Sequence, residues 1–168
     1  LHVLRRRQRQ MCIRDRLRAS RDLLYMAEAL DIDNIEISEW CSKLREGIET
    51  LRNPDGEFFN AINCRTDEHS GNITSASFLN WYAGIDDDKT LKILTKTLEE
   101  TRYPIPSLSI NSEKFDGMRY WRGPTWAVLN SLVGIGLSEM GHVAEATLLR
   151  KRTQSLICLL YTSPSPRD

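Results

Sequence analysis

Apolar residues recur every three or four positions along most of the chain, which is the spacing of amphipathic helices. The clearest case is residues 37–51, whose single apolar stripe consists of Ile37, Trp40, Cys41, Leu44, Ile48 and Leu51. Segment 73–85 is apolar on several sides and predicts a buried helix. Helical spacing also predicts helices over 17–31, 86–101, 124–140 and 142–157.

Turn-forming residues stand where these helices should begin and end. Asn34 is placed as an N-cap, and Asn53 with Pro54 predicts a stop. Pro124 suits the first position of a helix, because an N–H at that position has no partner within the helix. Gly141 predicts the end of the same helix.

One stretch after the second helix has strand-like character. Phe58, Phe59 and Ile62 predict a short strand, and the polar residues 65–72 predict the turn of a small β-hairpin. Six helices and this hairpin predict an all-α fold of antiparallel helix pairs, arranged as a bundle, a solenoid or a helical toroid. The sequence contains no repeat of fixed length.

Both ends of the chain match translated DNA-library adaptors. RRQRQMCIRDR near the start and CLLYTSPSPRD at the end back-translate to the two partner adaptor sequences. We therefore expect residues 1–16 and 158–168 to be non-native, and residues 17–157 to be the native fragment of a larger domain. The alternative is a basic N-terminal arm and a Ser/Pro-rich tail.

Charge and cysteine content change with these boundaries. The whole chain has 23 Lys and Arg and 23 Asp and Glu, so its formal net charge is 0. The two predicted adaptor segments contain seven of the arginines and two of the aspartates. Without them the formal net charge is −5. The basic N-terminal run then gives no reason to expect nucleic acid or a membrane as a partner. Cys41 and Cys64 remain, in no metal-ligand spacing, and Cys41 is expected to be buried in a helix.

The segment 103–126 predicts a loop of about twenty residues, and loops of that length inside a compact domain are commonly functional. It ends in YWRGPTW, residues 120–126, which holds two of the four tryptophans. Tyr and Trp combine a flat apolar face with a polar edge, which suits stacking on a sugar ring. The aromatic candidates in this loop are Tyr103, Tyr120, Trp121 and Trp126.

Two further residues of this motif fit a ligand site. Arg122 can bind a carboxylate or phosphate in a bidentate manner, and Gly123 lets the backbone come close to a ligand. The alternative is that Trp121 and Trp126 fill the core while Arg122 pairs with a nearby acid. Composition alone leaves both interpretations open.

YWRGPTW followed by an apolar helix with Asn130 resembles the signature of inverting glycoside hydrolases of family 63 and their relatives, among them mannosylglycerate and glucosylglycerate hydrolases. The resemblance covers 17–157, through LLYMAEAL, NPDGEFFNAI, ITSASFLNWYAGI and YPIPSLSINSEKFDGMRYWRGPTW. It implies an (α/α)6 toroid with the active site in its central funnel, of which this chain would be an incomplete part. We expect the Asn130 side chain to close a helix pair by a hydrogen bond.

The resemblance implies a role for each residue of the motif. Tyr120, Trp121 and Trp126 match aromatic positions that line the subsite of the cleaved sugar. Arg122 and Gly123 match positions that shape the motif and border the substrate. The implied partner is a carbohydrate substrate, with no cofactor and no metal.

Inverting hydrolysis uses two carboxyl groups about 6.5–9.5 Å apart, which leaves room for the attacking water. The resemblance places the general acid, an Asp, far upstream of the motif and the general base, a Glu, downstream of it, so both fall outside 17–157. We therefore expect no catalytic residue in the fragment and no activity of the chain alone. The alternatives are a non-catalytic helical module that binds a protein, and the same toroid with lyase or isomerase chemistry.

The acids and histidines that are present have structural interpretations. The acid run 86–88 is expected to cap a helix N-terminus, and Asp116 to hold Arg119 or Arg122 in place. A toroid cut open should also expose apolar faces. Two histidines are expected to be isolated, at the surface or at caps: His69 and His142.

Overall fold

Five α-helices and one short 3-10 helix make up the regular structure of the described part of the chain. The computed structural model describes residues 9–63 and 65–162, with side chains described within 12–63 and 65–158. Cys64 and the outermost parts of both predicted adaptor segments lie outside these residues. The elements are α1 (Arg9–Ala29), α2 (Ile35–Glu49), the 3-10 helix (Ser75–Phe78), α3 (Asp88–Glu100), α4 (Ala127–Glu139) and α5 (Val143–Thr162).

Two antiparallel helix pairs form, as the sequence predicts. α1 packs on α2 so closely that a Cβ atom at Gly47 would lie 2.8 Å from Ile13 Cδ1. α4 packs on α5 across a tight turn at Gly141, whose φ of 91° is a conformation that favours glycine. The N–H of Gly141 donates to Ser138 O. The predicted end of α4 is therefore confirmed.

α1 begins well before the helix that the sequence predicts at 17–31. Most residues of 9–16 are good helix formers, which explains the extension. Arg14 is fully buried, and desolvation lowers the pKa of its guanidinium to about 10. Its guanidinium carbon lies 5.4 Å from the centre of the Phe59 ring. The described part of this segment is thus helical and packed, and its origin in adaptor DNA stays a prediction.

The segment 73–85 is buried as predicted, but the prediction of a regular helix is wrong. Ser75–Phe78 forms one 3-10 turn, and further turns follow as far as Gly84, whose φ is 76°. α4 packs directly on the main chain here, since a Cβ atom at Gly136 would lie 2.3 Å from the carbonyl carbon of Trp81. Tertiary packing has overridden the helical spacing of the apolar residues.

The predicted β-hairpin is not confirmed, because no strand forms in the part of the chain that the structure describes. Asn53 shapes the chain where the predicted strand begins. Its Oδ1 accepts hydrogen bonds from the N–H groups of Glu57 and Phe58, at 2.9 and 3.1 Å, and so curls the chain into a compact turn. The pairing that remains consists of isolated bridges, Arg52 with Phe59 and Ile62 with His69.

The apolar stripe of α2 is confirmed in part. Ile48 and Leu51 are buried and Cys41 is half-buried, whereas Trp40 is 43% exposed. Asn34 occupies the predicted N-cap position, but its side chain makes no capping hydrogen bond. The stripe is thus covered towards the C-terminal end of α2 and open towards its start.

Two apolar clusters form the core of the described residues, and large apolar side chains remain exposed outside them. The larger cluster contains Ala76, Phe78, Leu79, Trp81, Leu94, Leu98, Ile105, Leu129, Val133, Leu137 and Leu149. The smaller cluster contains Leu17, Ile48, Leu51, Phe59, Ala83 and Ile85. None of the helices in the described part of the chain combines the length and the hydropathy that a bilayer-spanning segment needs. The large apolar side chains exposed on α1 and around the following turn are Leu23, Tyr25, Met26, Leu30, Ile32 and Ile35.

Candidate functional site

The long loop between α3 and α4 spans residues 101–126, and its first half is fastened to the body of the fold. Thr74 and Leu108 pair in an isolated bridge. The N–H of Ser109 donates to Ile73 O at 2.9 Å. These main-chain bonds hold the loop against the segment that precedes the buried turns, so the loop has a fixed place in the fold.

The second half of the loop turns back on itself over residues 114–123, which we call the neck loop. The N–H of Asp116 donates to Arg122 O at 2.8 Å. Arg122 Nε donates to Lys114 O at 2.9 Å. A Cβ atom at Gly123 would lie 2.3 Å from Asp116 O, so glycine is needed where the two arms of the loop meet.

Ser107 anchors the neck loop to the first half of the long loop. Its Oγ accepts from the N–H of Gly123 at 2.9 Å. Its own N–H donates to Pro124 O at 3.0 Å, and its carbonyl accepts from the N–H of Ser75 at 3.4 Å. Ser107 is buried, and its side chain and main chain together join three segments of the fold.

Three aromatic side chains, Tyr120, Trp121 and Trp126, stand together at this end of the loop, and we call them the aromatic triad. The Tyr120 ring meets Trp126 edge-on at a centroid distance of 4.5 Å and Trp121 edge-on at 5.4 Å. The two indoles lie 5.4 Å apart. Tyr120 is 64% exposed and Trp121 50% exposed. The interpretation in which both tryptophans fill the core therefore does not hold for Trp121.

α4 begins at Ala127, so the prediction that Pro124 starts this helix is wrong. Thr125 still belongs to an isolated bridge with the opposite arm of the loop, which keeps the chain extended. Trp126 is the N-cap residue. Its indole Nε1 donates to Tyr120 O at 3.1 Å, which ties the neck loop to the start of α4.

Asn130 is buried one turn into α4 and is fully engaged. Its Oδ1 accepts from the N–H of Ile105 at 3.0 Å. Its Nδ2 donates to Thr153 Oγ1 of α5 at 3.0 Å and also to Pro104 O. The expected hydrogen bond across the helix pair is therefore present, and the same side chain holds the start of the long loop.

The acid run 86–88 caps α3, as predicted, and also binds across the fold. Asp87 accepts from the N–H of Thr90 at 2.7 Å and from Arg52 Nη1 at 2.8 Å. Desolvation alone would raise the pKa of the Asp87 carboxyl. The hydrogen bonds from Thr90 and Arg52 outweigh desolvation and hold that pKa below its ordinary value.

The prediction that both histidines are isolated is wrong. His142 Nε2 lies 2.7 Å from Asp86 Oδ1, which also accepts from Trp81 Nε1 at 3.1 Å. Desolvation alone would raise the pKa of Asp86, but the hydrogen bonds from His142 and Trp81 outweigh it and lower that pKa. His69 Nδ1 lies 2.6 Å from Asn60 Oδ1. Both imidazoles therefore have side-chain partners within the fold.

The acid nearest to the motif is also committed to local structure. Asp116 Oδ2 lies 3.4 Å from Arg119 Nε, which is one of the two pairings predicted for it. Asp116 Oδ1 accepts from the N–H of Met118 at 3.0 Å. Among the described residues, no group of three or more His, Cys, Asp or Glu side chains is placed to hold a metal ion.

Two concave surfaces border these elements. A pocket of about 370 Å³ lies beside the long loop, lined by Phe58, residues 71–73 and several residues of 109–114. A groove of about 520 Å³ runs between α4 and α5 and includes Gly134 and Arg150 in its lining. The aromatic triad lines neither of these two, and the exposure of Tyr120 and Trp121 makes it an open platform.

A family model described as the mannosylglycerate hydrolase MGH1-like glycoside hydrolase domain matches residues 16–160. The chain belongs to this glycoside hydrolase family. The match confirms the family resemblance that YWRGPTW carries. The origin of the two ends is not decided by it and stays a prediction.

Relatives of this chain are named mannosylglycerate hydrolase, and they are longer than this chain. Mannosylglycerate hydrolase of Thermus thermophilus is 33% identical over 144 residues, and mannosylglycerate hydrolase MGH1 of Selaginella moellendorffii is 28% identical over 146 residues. Each match covers 83% of this chain, but only 35% and 30% of the respective relative. The chain thus spans about a third of the length of these proteins.

Solved structures give the same assignment. A GH63 mannosylglycerate hydrolase from Thermus thermophilus in complex with Tris superimposes with a TM-score of 0.77 and 32% identity, over 84% of this chain and 35% of that chain. The same hydrolase in complex with glucose gives a TM-score of 0.75 and 32% identity, over 84% and 37% of the two chains. The helical fold described here therefore resembles the (α/α)6 fold of family 63.

The sequence did not reveal the residues that hold the neck loop and the aromatic triad in place. Ser107 and the carbonyl of Lys114 are structural partners of the motif, yet a serine or a main-chain carbonyl in a loop has no distinctive pattern. The one available signal was the pair of prolines Pro104 and Pro106, which restrict the backbone just before Ser107. The aromatic triad itself could be named from the sequence because its members are chemically conspicuous.

Proposed function

We propose that this chain forms one wall of the sugar-binding site of an inverting glycoside hydrolase. The aromatic triad carries the proposal: its rings are in mutual contact, yet Tyr120 and Trp121 remain half-exposed or more. Exposed aromatic rings that hydrogen bonds hold in place offer a prepared platform, which reduces the entropy lost when a ligand binds. Family membership then favours a sugar over other flat ligands.

The substrate class follows from the relatives. Several of them are named mannosylglycerate hydrolases, and one solved relative holds Tris and D-glycerate. We therefore propose an α-mannoside or α-glucoside of glycerate as the substrate of the whole protein. The apolar C–H face of the hexose would lie on the indole of Trp121, while its hydroxyl groups face the polar rim of the loop.

The two catalytic carboxyl groups are proposed to come from parts of the whole protein outside residues 17–157. Asp86, Asp87 and Asp116 are engaged with His142, Arg52 and Arg119 respectively, and their contacts stabilise turns and helix ends. The chain spans about a third of its relatives. Together these observations support an incomplete (α/α)6 toroid that carries substrate-binding residues and no acid/base pair.

If the chain has substrate-binding residues but no acid/base pair, the 168-residue chain should bind mannosylglycerate without hydrolysing it. Incubation of the purified chain with mannosylglycerate and chromatographic detection of mannose would test it. Release of mannose above the uncatalysed rate, removed by Asp116→Asn, would place a catalytic acid in this chain and overturn the proposal.

The binding proposal is tested by calorimetric titration of the chain with mannosylglycerate. We expect Trp121→Ala to weaken affinity about ten-fold, which corresponds to ~1.4 kcal/mol. Trp40→Ala is the matched control, because Trp40 is exposed to a similar extent but lies on α2, away from the neck loop. Equal losses in both variants, or no binding by the wild-type chain, would count against a sugar platform at the triad.

The remaining alternatives make different predictions in the same experiment. A helical module that binds a protein would leave sugars unbound, and a lyase or isomerase would bind uronates or free sugars in preference to glycosides of glycerate. Family membership favours hydrolysis over both. A titration series of mannosylglycerate, glucosylglycerate, mannose and glucuronate therefore separates the three.

A further inference from the structure

The arginine of the motif contacts the main chain of its own loop. Arg122 Nε donates to Lys114 O at 2.9 Å. The main-chain N–H of Arg122 donates to Arg119 O at 2.9 Å, and its carbonyl accepts from the N–H of Asp116 at 2.8 Å. Two of these bonds join the two arms of the neck loop, and the bond to Arg119 closes the turn at its tip.

Arg122 does not use the acid that stands closest to it in sequence. Asp116 directs one carboxylate oxygen at Arg119 and the other at the N–H of Met118. No carboxylate of the described residues forms an ion pair with Arg122. The Arg122 side chain is thus placed by a hydrogen bond from Nε to a main-chain carbonyl, and not by an ion pair.

The neck that Arg122 closes is also where the aromatic triad is assembled. Gly123 touches the main chain of Asp116, and Trp126 Nε1 donates to Tyr120 O. If the arms at Lys114 and Arg122 separate, Tyr120 and Trp121 lose their fixed place relative to Trp126. The geometry of the platform therefore depends on the closure of the neck loop.

We propose that Arg122 is a positioning residue, which closes the neck loop through its Nε and thereby fixes the aromatic triad, and that it does not act as the cation that receives an anionic group of the substrate. This inference rests on the proposed function for its effect on sugar binding. Its structural half, the closure of the neck loop, is independent of any ligand.

Two substitutions separate the N–H donor from the charge. Arg122→Gln has a nitrogen bonded to Cδ, at the point of the side chain where arginine has Nε, so it keeps the donor and removes the charge. Arg122→Lys keeps the charge but has a methylene at that point. The matched control is Arg119→Gln, which removes a charge from the same loop where the exposed ion pair contributes little.

The first measurement is near-UV circular dichroism of the 168-residue chain, which reports the mutual packing of Trp121, Trp126 and Tyr120. We expect Arg122→Gln and Arg119→Gln to keep the wild-type signal, and Arg122→Lys to lose a large part of it while the far-UV helical signal is unchanged. Retention of the aromatic signal in Arg122→Lys would overturn the proposal. So would its loss in Arg122→Gln, whether the chain unfolds or not.

The second measurement is the affinity for mannosylglycerate by calorimetry. We expect Arg122→Gln to remain within about three-fold of wild type and Arg122→Lys to weaken binding about ten-fold, as loss of one geometry-setting hydrogen bond allows. The reverse order would make Arg122 a charge contact with the substrate. If the wild-type chain binds no sugar, the proposed function fails, and the aromatic signal still decides the role of Arg122.

Discussion

Trp81 and Trp121 are both tryptophans, but the first lies in the core and the second lies half-exposed in the neck loop. Trp81 is fully buried and stacks on Phe78, and its indole N–H donates to Asp86. Trp121 is 50% exposed and touches only other rings of the aromatic triad among the described ring contacts. A buried tryptophan with its polar edge satisfied stabilises a fold, whereas a held but exposed one is available to a ligand.

Two glycines repeat this contrast in the backbone. Gly136 lets α4 lie on the main chain at Trp81, and Gly123 lets the arms of the neck loop meet at Asp116. The first contact joins elements of the core, and the second closes a loop at the surface. Close main-chain packing therefore serves the whole fold at Gly136 and the shape of the platform at Gly123.

The largest effect should follow from Trp81→Ala. It removes the largest fully buried side chain and leaves a cavity in the larger apolar cluster. We expect a loss of about 3–5 kcal/mol in the free energy of unfolding, measured by urea denaturation. A loss below about 1 kcal/mol would mean that Trp81 supports the fold no more than Trp121 does.

Replacing each of the two glycines with alanine should have different effects on the free energy of unfolding, because one supports the core and the other the platform. Gly136→Ala forces a Cβ atom onto the backbone beneath α4 and should lower the free energy of unfolding by about 1–3 kcal/mol. Gly123→Ala should change it by less than about 1 kcal/mol, because only a surface loop opens. The near-UV signal of the triad should nevertheless fall in Gly123→Ala. Equal destabilisation by both variants would show that the neck loop belongs to the core.

Trp121→Ala should change the free energy of unfolding by less than about 0.5 kcal/mol, because the side chain is half-exposed and leaves no closed cavity. Urea denaturation beside Trp81→Ala measures the difference directly. Destabilisation above about 2 kcal/mol would mean that Trp121 supports the core, as the alternative interpretation of the motif holds.

The smallest expected effect is on the stability of the fold at acidic pH. The pKa of Asp86 is lowered in the folded state, so its contribution to stability is present above the unfolded value of about 4 and is lost as pH falls through the folded value. Asp86→Asn should therefore lose less stability than wild type between about pH 5 and pH 3, by under ~1 kcal/mol because the carboxylate is partly exposed. Asp88→Asn is the control from the same acid run. Parallel pH curves for wild type and Asp86→Asn would contradict the role of the bond to His142.

Sequence patterns predicted local features better than tertiary ones. Periodicity and a terminal glycine were enough for the body and the end of α4, but not for its start, because these signals act within a few residues. Segment 73–85 does not form a regular helix because α4 packs on its main chain, and the predicted hairpin is reduced to isolated bridges. Both outcomes depend on contacts that spacing does not encode. The aromatic residues of the site were visible in the sequence, but their support by Ser107 was not.

The indole N–H signals of the four tryptophans in a two-dimensional nitrogen–proton spectrum report directly whether sugar binds at the aromatic triad. On addition of mannosylglycerate, the signals of Trp121 and Trp126 should shift with a common saturation curve, while those of Trp81 and Trp40 stay in place. Shifts confined to Trp40, or no shift in any of the four at saturating sugar, would contradict the claim that the aromatic triad is a sugar platform.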